Sequence, residues 1–370
     1  MATFFMPLLP VLFLCLLHTA ISCPASDRAA LLDFKAGLSE PYLGIFTSWT
    51  GTDCCTNWYG VNCDPTNGRV ADITLRGESE DPILVRSGRM SGLMSGKISS
   101  SICKLDRLTN LVVADWKQIT GPLPDCITTS LPMLRILDLP GNRLTGQIPS
   151  SMGKLSHLTV LNLADNQLTG KIPASLTAMS DLKHLDLTNN CLSDSIPSDF
   201  GNLKMLSRAL LARNQLSGSI PSSIGNMNRL ADLDLGGNKL SGSIPSNLGS
   251  MPVLSSLYLD DNKLSGNIPT TLLQSKGLGM LNLSRNALSG EIPDVFDSKS
   301  YFMVLDLSYN KLSGHVPHSL TSAAYVGHLD LSHNHLCGTI PTGSPYDHLE
   351  ATSFAGNACL CGFPLSKYNM

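Results

Sequence analysis

Apolar and polar positions alternate along this chain in a pattern that repeats many times. The motif L-x-L-x-x-N-x-L recurs with its asparagine at Asn142, Asn166, Asn190, Asn214, Asn238, Asn262, Asn286, Asn310 and Asn334, each interval being 24 residues. In one unit, LTVLNLADNQLTGKIPASLTAMSD, Leu161 and Leu163 have the period-2 spacing of a strand with one buried face. Asn166 follows where the chain turns, and its amide suits backbone groups that a turn leaves unpaired. The segment L-x-G-x-I-P then brings a glycine for tight passage and a proline that ends a ladder. No single unit can bury its leucines, whereas stacked 24-residue coils bury them as one continuous core.

Two imperfect units precede the regular array. LVVADWKQITGPLP carries Trp116 at the asparagine position and one extra residue before Ile119. ITLRG, residues 73–77, departs into ESEDPILVRSGRMSG before Gly96-Lys97-Ile98 resumes the pattern. Eleven turns are predicted, with strands centred near residues 74, 112, 138, 162, 186, 210, 234, 258, 282, 306 and 330. At about 4.8 Å per strand the sheet is on the order of 50 Å long.

The ends differ from the middle, as capping of a solenoid requires. Residues 1–22 read as a signal peptide, apolar through PLLPVLFLCLLHTAI with small residues before Cys23, although the segment contains no lysine or arginine. Residues 23–66 form an N-terminal cap that begins with an Asp27-type helix cap. Residues 67–341 hold about eleven repeats, and residues 342–370 a C-terminal cap. No later stretch approaches the ~18–20 apolar residues that span a bilayer. A secreted monomer of the extracellular space or cell wall is expected, with no membrane span.

The repeat L-x-x-L-x-x-L-x-L-x-x-N-x-L-x-G-x-I-P resembles the plant-specific class of leucine-rich repeats. SW-x(4)-CC-x(2)-WYGVNCD is similar to the N-terminal cap of that class, and CLCGFPL to its C-terminal cap. The resemblance implies an α/β repeat solenoid: a right-handed superhelix with a parallel sheet on its concave face, a 3-10 or irregular convex side, and disulfide-bonded caps. Within the class, the chain resembles polygalacturonase-inhibiting proteins. The stretches LSEPYLGIF, LRGESED, ADWK and PYDHLEATSF resemble the group of plant DNA-damage-repair/toleration proteins more closely. Resemblance to the cap families implies the disulfides Cys23–Cys54, Cys55–Cys63 and Cys337–Cys359. Cys103 and Cys126 lie in equivalent regions of adjacent turns, close enough to bridge. Cys191 and Cys361 stand about six turns apart and cannot pair with each other.

Composition narrows the function. Only 15% of residues are charged and the formal net charge is −3, so no broad attraction to nucleic acid or anionic lipid is expected. No G-x-S-x-G or H-E-x-x-H occurs, and an enzyme is not expected. GLMSGKIS, residues 92–99, is one residue short of a phosphate loop and reads as a worn L-x-G-x-I-P turn. Three histidines and Cys337 within LDLSHNHLCGTIP and the preceding His328 invite a zinc reading. His333 and His335 flank the turn asparagine, however, which breaks strand alternation, so neither metal nor cofactor is expected. His328, Asp330 and His333 instead edge the concave face.

With leucines in the core, the residues six, four and two before each asparagine face the concave side, and the residue just before it lies on the rim. The row at minus four is mostly acidic and the row at minus two mostly small. The densest group is His184, Asp186, Arg208, Asp232, Asp234, Tyr258, Asp260 and Asp261, with Asp306, His328 and Asp330 further along. Calcium would need 6–8 oxygens, and one carboxylate per strand lacks the surrounding carbonyls. The one N-glycosylation sequon, at Asn282, would place a glycan on this face. The leading expectation is a protein partner bound through the concave face, such as a microbial polygalacturonase or a receptor. The alternatives are a DNA-damage-toleration role, implied by the group's name, and a glycan or peptide scaffold that uses Tyr258 and Tyr309 as stacking platforms.

Overall fold

A computed structural model describes residues 23–77 and 92–365. The expected signal peptide and most of the departure after ITLRG lie outside the described residues. Twelve strands form the concave sheet. The first, Val61–Cys63, runs antiparallel to Val70–Arg76, and ten further parallel strands follow from Asn110–Ala114 to Tyr325–Asp330. The eleven strands predicted from the repeat are therefore present, with a cap strand added. Register is leucine on leucine: Leu137 pairs with Leu161 and Leu161 with Leu185, and beyond Ala209 the row continues from Leu233 to Leu329. These leucines are fully or almost fully buried.

The asparagines close the turns in a way that joins neighbours. Asn166 Nδ2 donates to the Leu163 and Ala164 carbonyls of its own turn and to Leu139 O of the preceding one, all within 3.1 Å. Its Oδ1 accepts from the Leu144 N–H at 2.9 Å. The set repeats at Asn190, Asn214, Asn238, Asn262, Asn286, Asn310 and Asn334. At the front Trp116 takes the place of the amide, with its indole N–H on Leu75 O at 3.0 Å. At the back Asn357 serves the last repeat, accepting from Leu336 N and donating to Leu331 O. The repeat motif does not reveal Asn357, because it falls 23 residues after Asn334.

Two sequence expectations change. The L-x-G segment is not only a turn: short parallel strands such as Lys239–Gly242, Lys263–Gly266 and Lys311–Gly314 build a second set of sheets beside the first. The glycines permit this geometry, with φ near 80° at Gly242, Gly266 and Gly314. GLMSGKIS belongs to that set as the strand Met94–Lys97, where a Cβ on Gly96 would stand 2.1 Å from Gly37 O. Its glycine serves close packing, not phosphate. The second change concerns Asp27, which is not the helix cap, because the helix Ala25–Ala36 is preceded by Pro24. The Asp27 carboxylate is buried and accepts from Arg69 Nε at 2.9 Å and Val70 N at 3.0 Å, tying the cap helix to the first long strand.

All four anticipated disulfides form, with Cα separations of 5.4, 5.3, 5.9 and 4.4 Å in chain order. Cys191 is free and exposed, and Cys361 is free and half-buried. Short 3-10 turns such as Ala174–Ala178 and Ser246–Ser250 line the convex side. Among the described residues no helix is long and apolar enough to cross a membrane.

Candidate functional site

The acidic row has a framework duty on one side of each carboxyl group. Asp186, Asp234, Asp306 and Asp330 each accept the N–H two residues on, at 2.9–3.0 Å, and Asn162 and Asn282 do the same. This local turn explains why Asp and Asn recur there. The row's N-terminal end is neutralised, since Arg76 pairs with Asp138 at 2.9 Å. Free carboxylate character begins at Asp186.

Tyr258 interrupts the row, and around it the face deepens into a concavity of about 450 Å³. Asp234, Tyr258, Asp260 and Asp261 meet there, joined by Asn282, Arg213 and Arg285. Tyr258 donates its hydroxyl to Met280 Sδ at 3.0 Å. Asp260 occupies a position that every other regular turn gives to a small uncharged residue, and its Oδ1 leans over Gly236. A Cβ on Gly236 would come within 2.9 Å of that oxygen and 3.3 Å of Asp234 Oδ1. Burial pushes the Asp234 carboxyl up, helped by the Asp186 charge and opposed by the Gly236 N–H and Arg213. Burial also raises Asp260, with Asp234, Asp261 and Asp306 adding repulsion, and it raises the Tyr258 hydroxyl, which Asp234, Asp232 and Asp260 push further up.

His184, Asp186 and Arg208 line a separate, smaller hollow of about 130 Å³. Arg208 leans from it to Asp232, 3.3 Å away, in an exposed ion pair that contributes little to stability and can be exchanged for a partner's group. His328 and Asp330 lie outside both hollows.

Arg213 and Arg285 were not singled out in the sequence, although the rim position that supplied Asp261 also holds them. The signal is conformational: Asp165, Asn189, Arg213, Asp261, Arg285, Tyr309 and His333 all have φ between 50° and 55°. Along this rim Arg285 lies 4.3 Å from the Tyr309 ring centre, and Tyr309 stacks on His333 at 4.1 Å. Both faces of Tyr309 are therefore covered, and its expected role as a stacking platform is corrected. The histidine cluster also separates. His333 stacks in the rim, His335 begins the strand His335–Thr339, and Cys337 is disulfide-bonded. Among the described residues the one cysteine, histidine and carboxylate group close enough to share an ion is Cys23, Cys54 and Cys55, whose sulfurs are in disulfides.

Removing the Asp260 charge has a predictable sign. A folded-state pKa above the unfolded value means the group opposes folding at neutral pH, and this is relieved as pH falls through the folded value toward 3.8. Asp260→Asn should raise the thermal midpoint at pH 7, with the gap to wild type closing on acidification. Unfolding followed by circular dichroism across pH tests this, and a lower midpoint at pH 7 would contradict it.

The coils, register and caps define a leucine-rich-repeat solenoid. Residues 24–64 match the leucine rich repeat N-terminal domain, residues 126–285 a leucine-rich repeat region and residues 276–336 a leucine rich repeat, and the chain belongs to the plant extracellular type of this family. It is similar to the DNA damage-repair/toleration protein of Arabidopsis thaliana, 60% identical over 145 residues that cover 39% of this chain and 38% of that one. It is also similar to the polygalacturonase inhibitor of Vitis vinifera, 33% identical over 106 residues, 28% of this chain and 27% of that one. Those matches span well under half of either relative. A solved plant ice-binding protein shares the fold along its length, at 30% identity and a TM-score of 0.72, covering 93% of this chain and 97% of that one.

Proposed function

We propose that this is a secreted recognition module of the cell wall or apoplast that binds a protein partner through its concave face. The observation that carries the reading is the concavity around Tyr258. Charges of both signs converge there, and among the described residues Asp234, Asp260 and Asp261 form no ion pair. Unpaired carboxylates are suited to a partner's lysine or arginine, which would gain a charge-assisted contact and lower the raised pKa values of the half-buried Asp234 and Asp260. The partner contact combines steric cover of the groove with charge pairing by Arg208 and the acidic row. A glycan on Asn282, which lines the same concavity, would confine binding to the N-terminal half.

Likeness to polygalacturonase inhibitors makes a microbial wall-degrading enzyme the first partner to test. Wild type and an Asp232→Asn/Asp234→Asn/Tyr258→Ala triple variant are compared for inhibition of several polygalacturonases and for capture of proteins from wall extract. The expected result is inhibition or capture by wild type that the triple variant loses. A variant as effective as wild type would remove the concave face from the mechanism.

The similarity to a DNA damage-repair/toleration protein supplies a second reading. A fluorescent fusion seen in nuclei or plastids would favour it over secretion. The likeness to an ice-binding protein supplies a third, supported by a regular hydroxyl row on the second set of sheets that runs from Thr169 through Ser193, Ser217 and Ser241 to Ser313. A thermal-hysteresis measurement decides it, and unshaped ice crystals would rule it out.

A further inference from the structure

The concave strands of the regular turns are short, as in Asp232–Asp234, until the last two. Tyr301–Asp306 and Tyr325–Asp330 begin three residues earlier in the repeat. The extension sets Tyr301 beside Tyr325, and their rings stack with centres 5.1 Å apart and planes 25° from parallel. Both tyrosines are about half exposed. Tyr301 covers the ring face that Tyr325 turns to the preceding coil, so the other face looks toward the C-terminal cap. A cleft of about 180 Å³ opens there, with Tyr325 and Gly327 on one side and Ser344, Pro345, His348 and Leu349 on the other. A Cβ on Gly327 would stand 3.0 Å from both Cε1 and the hydroxyl oxygen of Tyr325, so the bare glycine makes room for the ring. The backbone at Gly327 is also distinctive. From Thr109 to Gly279 the carbonyl at this position of every turn accepts two N–H groups from the next turn; Ser255 O takes Gly279 N and Met280 N, both at 3.0 Å. Gly327 holds the same position in the last strand of the sheet, and among the described residues no N–H of the cap meets its carbonyl. The cap engages the chain only further along, where Leu331 N donates to Ser353 O at 2.8 Å.

We propose that this cleft binds one neutral pyranose ring, a sugar unit of an uncharged glycan. No residue lining it is an aspartate, glutamate, lysine or arginine, so it offers no ion pair to a charged ligand. Its volume is below the roughly 300–1,000 Å³ of a site for a drug-sized molecule, and it suits a single ring. A pyranose carries C–H groups on one face and hydroxyls around its edge. The tyrosine face takes the first, since an aromatic ring with one wet end suits a ligand that is apolar on one side only. The Gly327 carbonyl accepts from a sugar hydroxyl, while the exposed Ser344 and His348 side chains donate to others or accept from them. Tyr301 holds the Tyr325 ring from behind, so little side-chain freedom is lost on binding. An added peptide strand is the poorer fit. Strand addition needs a run of open edge groups, and the bond from Leu331 N to Ser353 O closes this edge. The cleft shares no residue with the concavity around Tyr258, and the proposal does not depend on the partner bound there.

The test is saturation-transfer NMR on the purified full chain with the methyl β-glycosides of glucose, galactose and xylose, and with galacturonate as the charged control. Expected is millimolar binding of at least one neutral glycoside, with transfer strongest at the C–H protons of one ring face. Tyr325→Ala should weaken it at least about fivefold, whereas Tyr325→Phe keeps the ring and should stay within about twofold of wild type. Ser344→Ala/His348→Ala leaves the tyrosine stack in place and should also weaken binding. All three side chains are exposed, and an unchanged circular dichroism spectrum confirms that each variant folds. Absence of transfer to every neutral glycoside, transfer that Tyr325→Ala leaves unchanged, or galacturonate bound as well as the neutral sugars would each overturn the proposal.

Discussion

Asn238→Ala should destabilise the protein by about 3–5 kcal/mol, far more than a surface substitution. The amide donates to Leu211 O at 3.1 Å, Leu235 O at 3.0 Å and Gly236 O at 3.2 Å, and accepts from Leu216 N at 3.0 Å. Alanine leaves all four groups without that partner in a site where the asparagine is 8% exposed. Each unsatisfied buried group costs roughly 1–3 kcal/mol, and a water molecule entering the vacated space offsets part of the sum. Two of the orphaned groups belong to the preceding turn, so the loss is shared across an interface and should not stay within one repeat. Urea unfolding gives the magnitude, and amide hydrogen exchange should show lost protection on both sides of residue 238. A change below about 1 kcal/mol would contradict this account of the asparagine row.

Trp116→Ala should cost about 3–5 kcal/mol, the usual range for a large buried aromatic. The ring is fully buried at the point where the N-terminal cap joins the regular array, and its N–H holds Leu75 O. Cβ atoms built on Gly77 and Gly92 would lie 3.0 and 2.5 Å from ring carbons, so both glycines are fitted to the indole. Trp116→Phe separates the two contributions. It keeps most of the bulk and should cost about 1–3 kcal/mol for the abandoned carbonyl. Thermal unfolding of the pair checks the order, and a phenylalanine variant as damaged as the alanine one would assign the whole effect to the lost hydrogen bond and none to bulk.

The architecture was legible because its signal is redundant. A strict 24-residue interval constrains strand position, register and core together, and the observed leucine-on-leucine pairing follows from it. The concave rows were legible for the same reason, since period-2 alternation sends Asp234 and Tyr258 outward wherever Leu233 and Leu257 go inward. Features set by conformation and not by polarity were less visible. A left-handed residue before each asparagine leaves no fixed side-chain type, as glycine, aspartate, arginine, tyrosine and histidine all occupy it. The pairing of Arg69 with Asp27 joins residues 42 apart, and no local pattern announces it. The second set of strands hid because two to five residues around a glycine are too few to show a periodicity. How closely the acids crowd was likewise a tertiary matter: the sequence puts Asp260 in the dense group, but not its oxygen leaning over Gly236.

The left-handed rim residues also indicate what has been kept against the backbone's preference. An L-residue with φ near 50° stands at a disadvantage of roughly 1–2 kcal/mol, less for asparagine and aspartate. Gly141 and Gly237 hold the same position with φ of 64°, so the fold accepts glycine there. Arg213, Arg285, Tyr309 and His333 therefore keep side chains at sites where having none would favour the folded backbone. Stability alone does not account for that choice. A sequence drawn only toward the most stable solenoid would have a bare rim, and this one keeps its rim furnished.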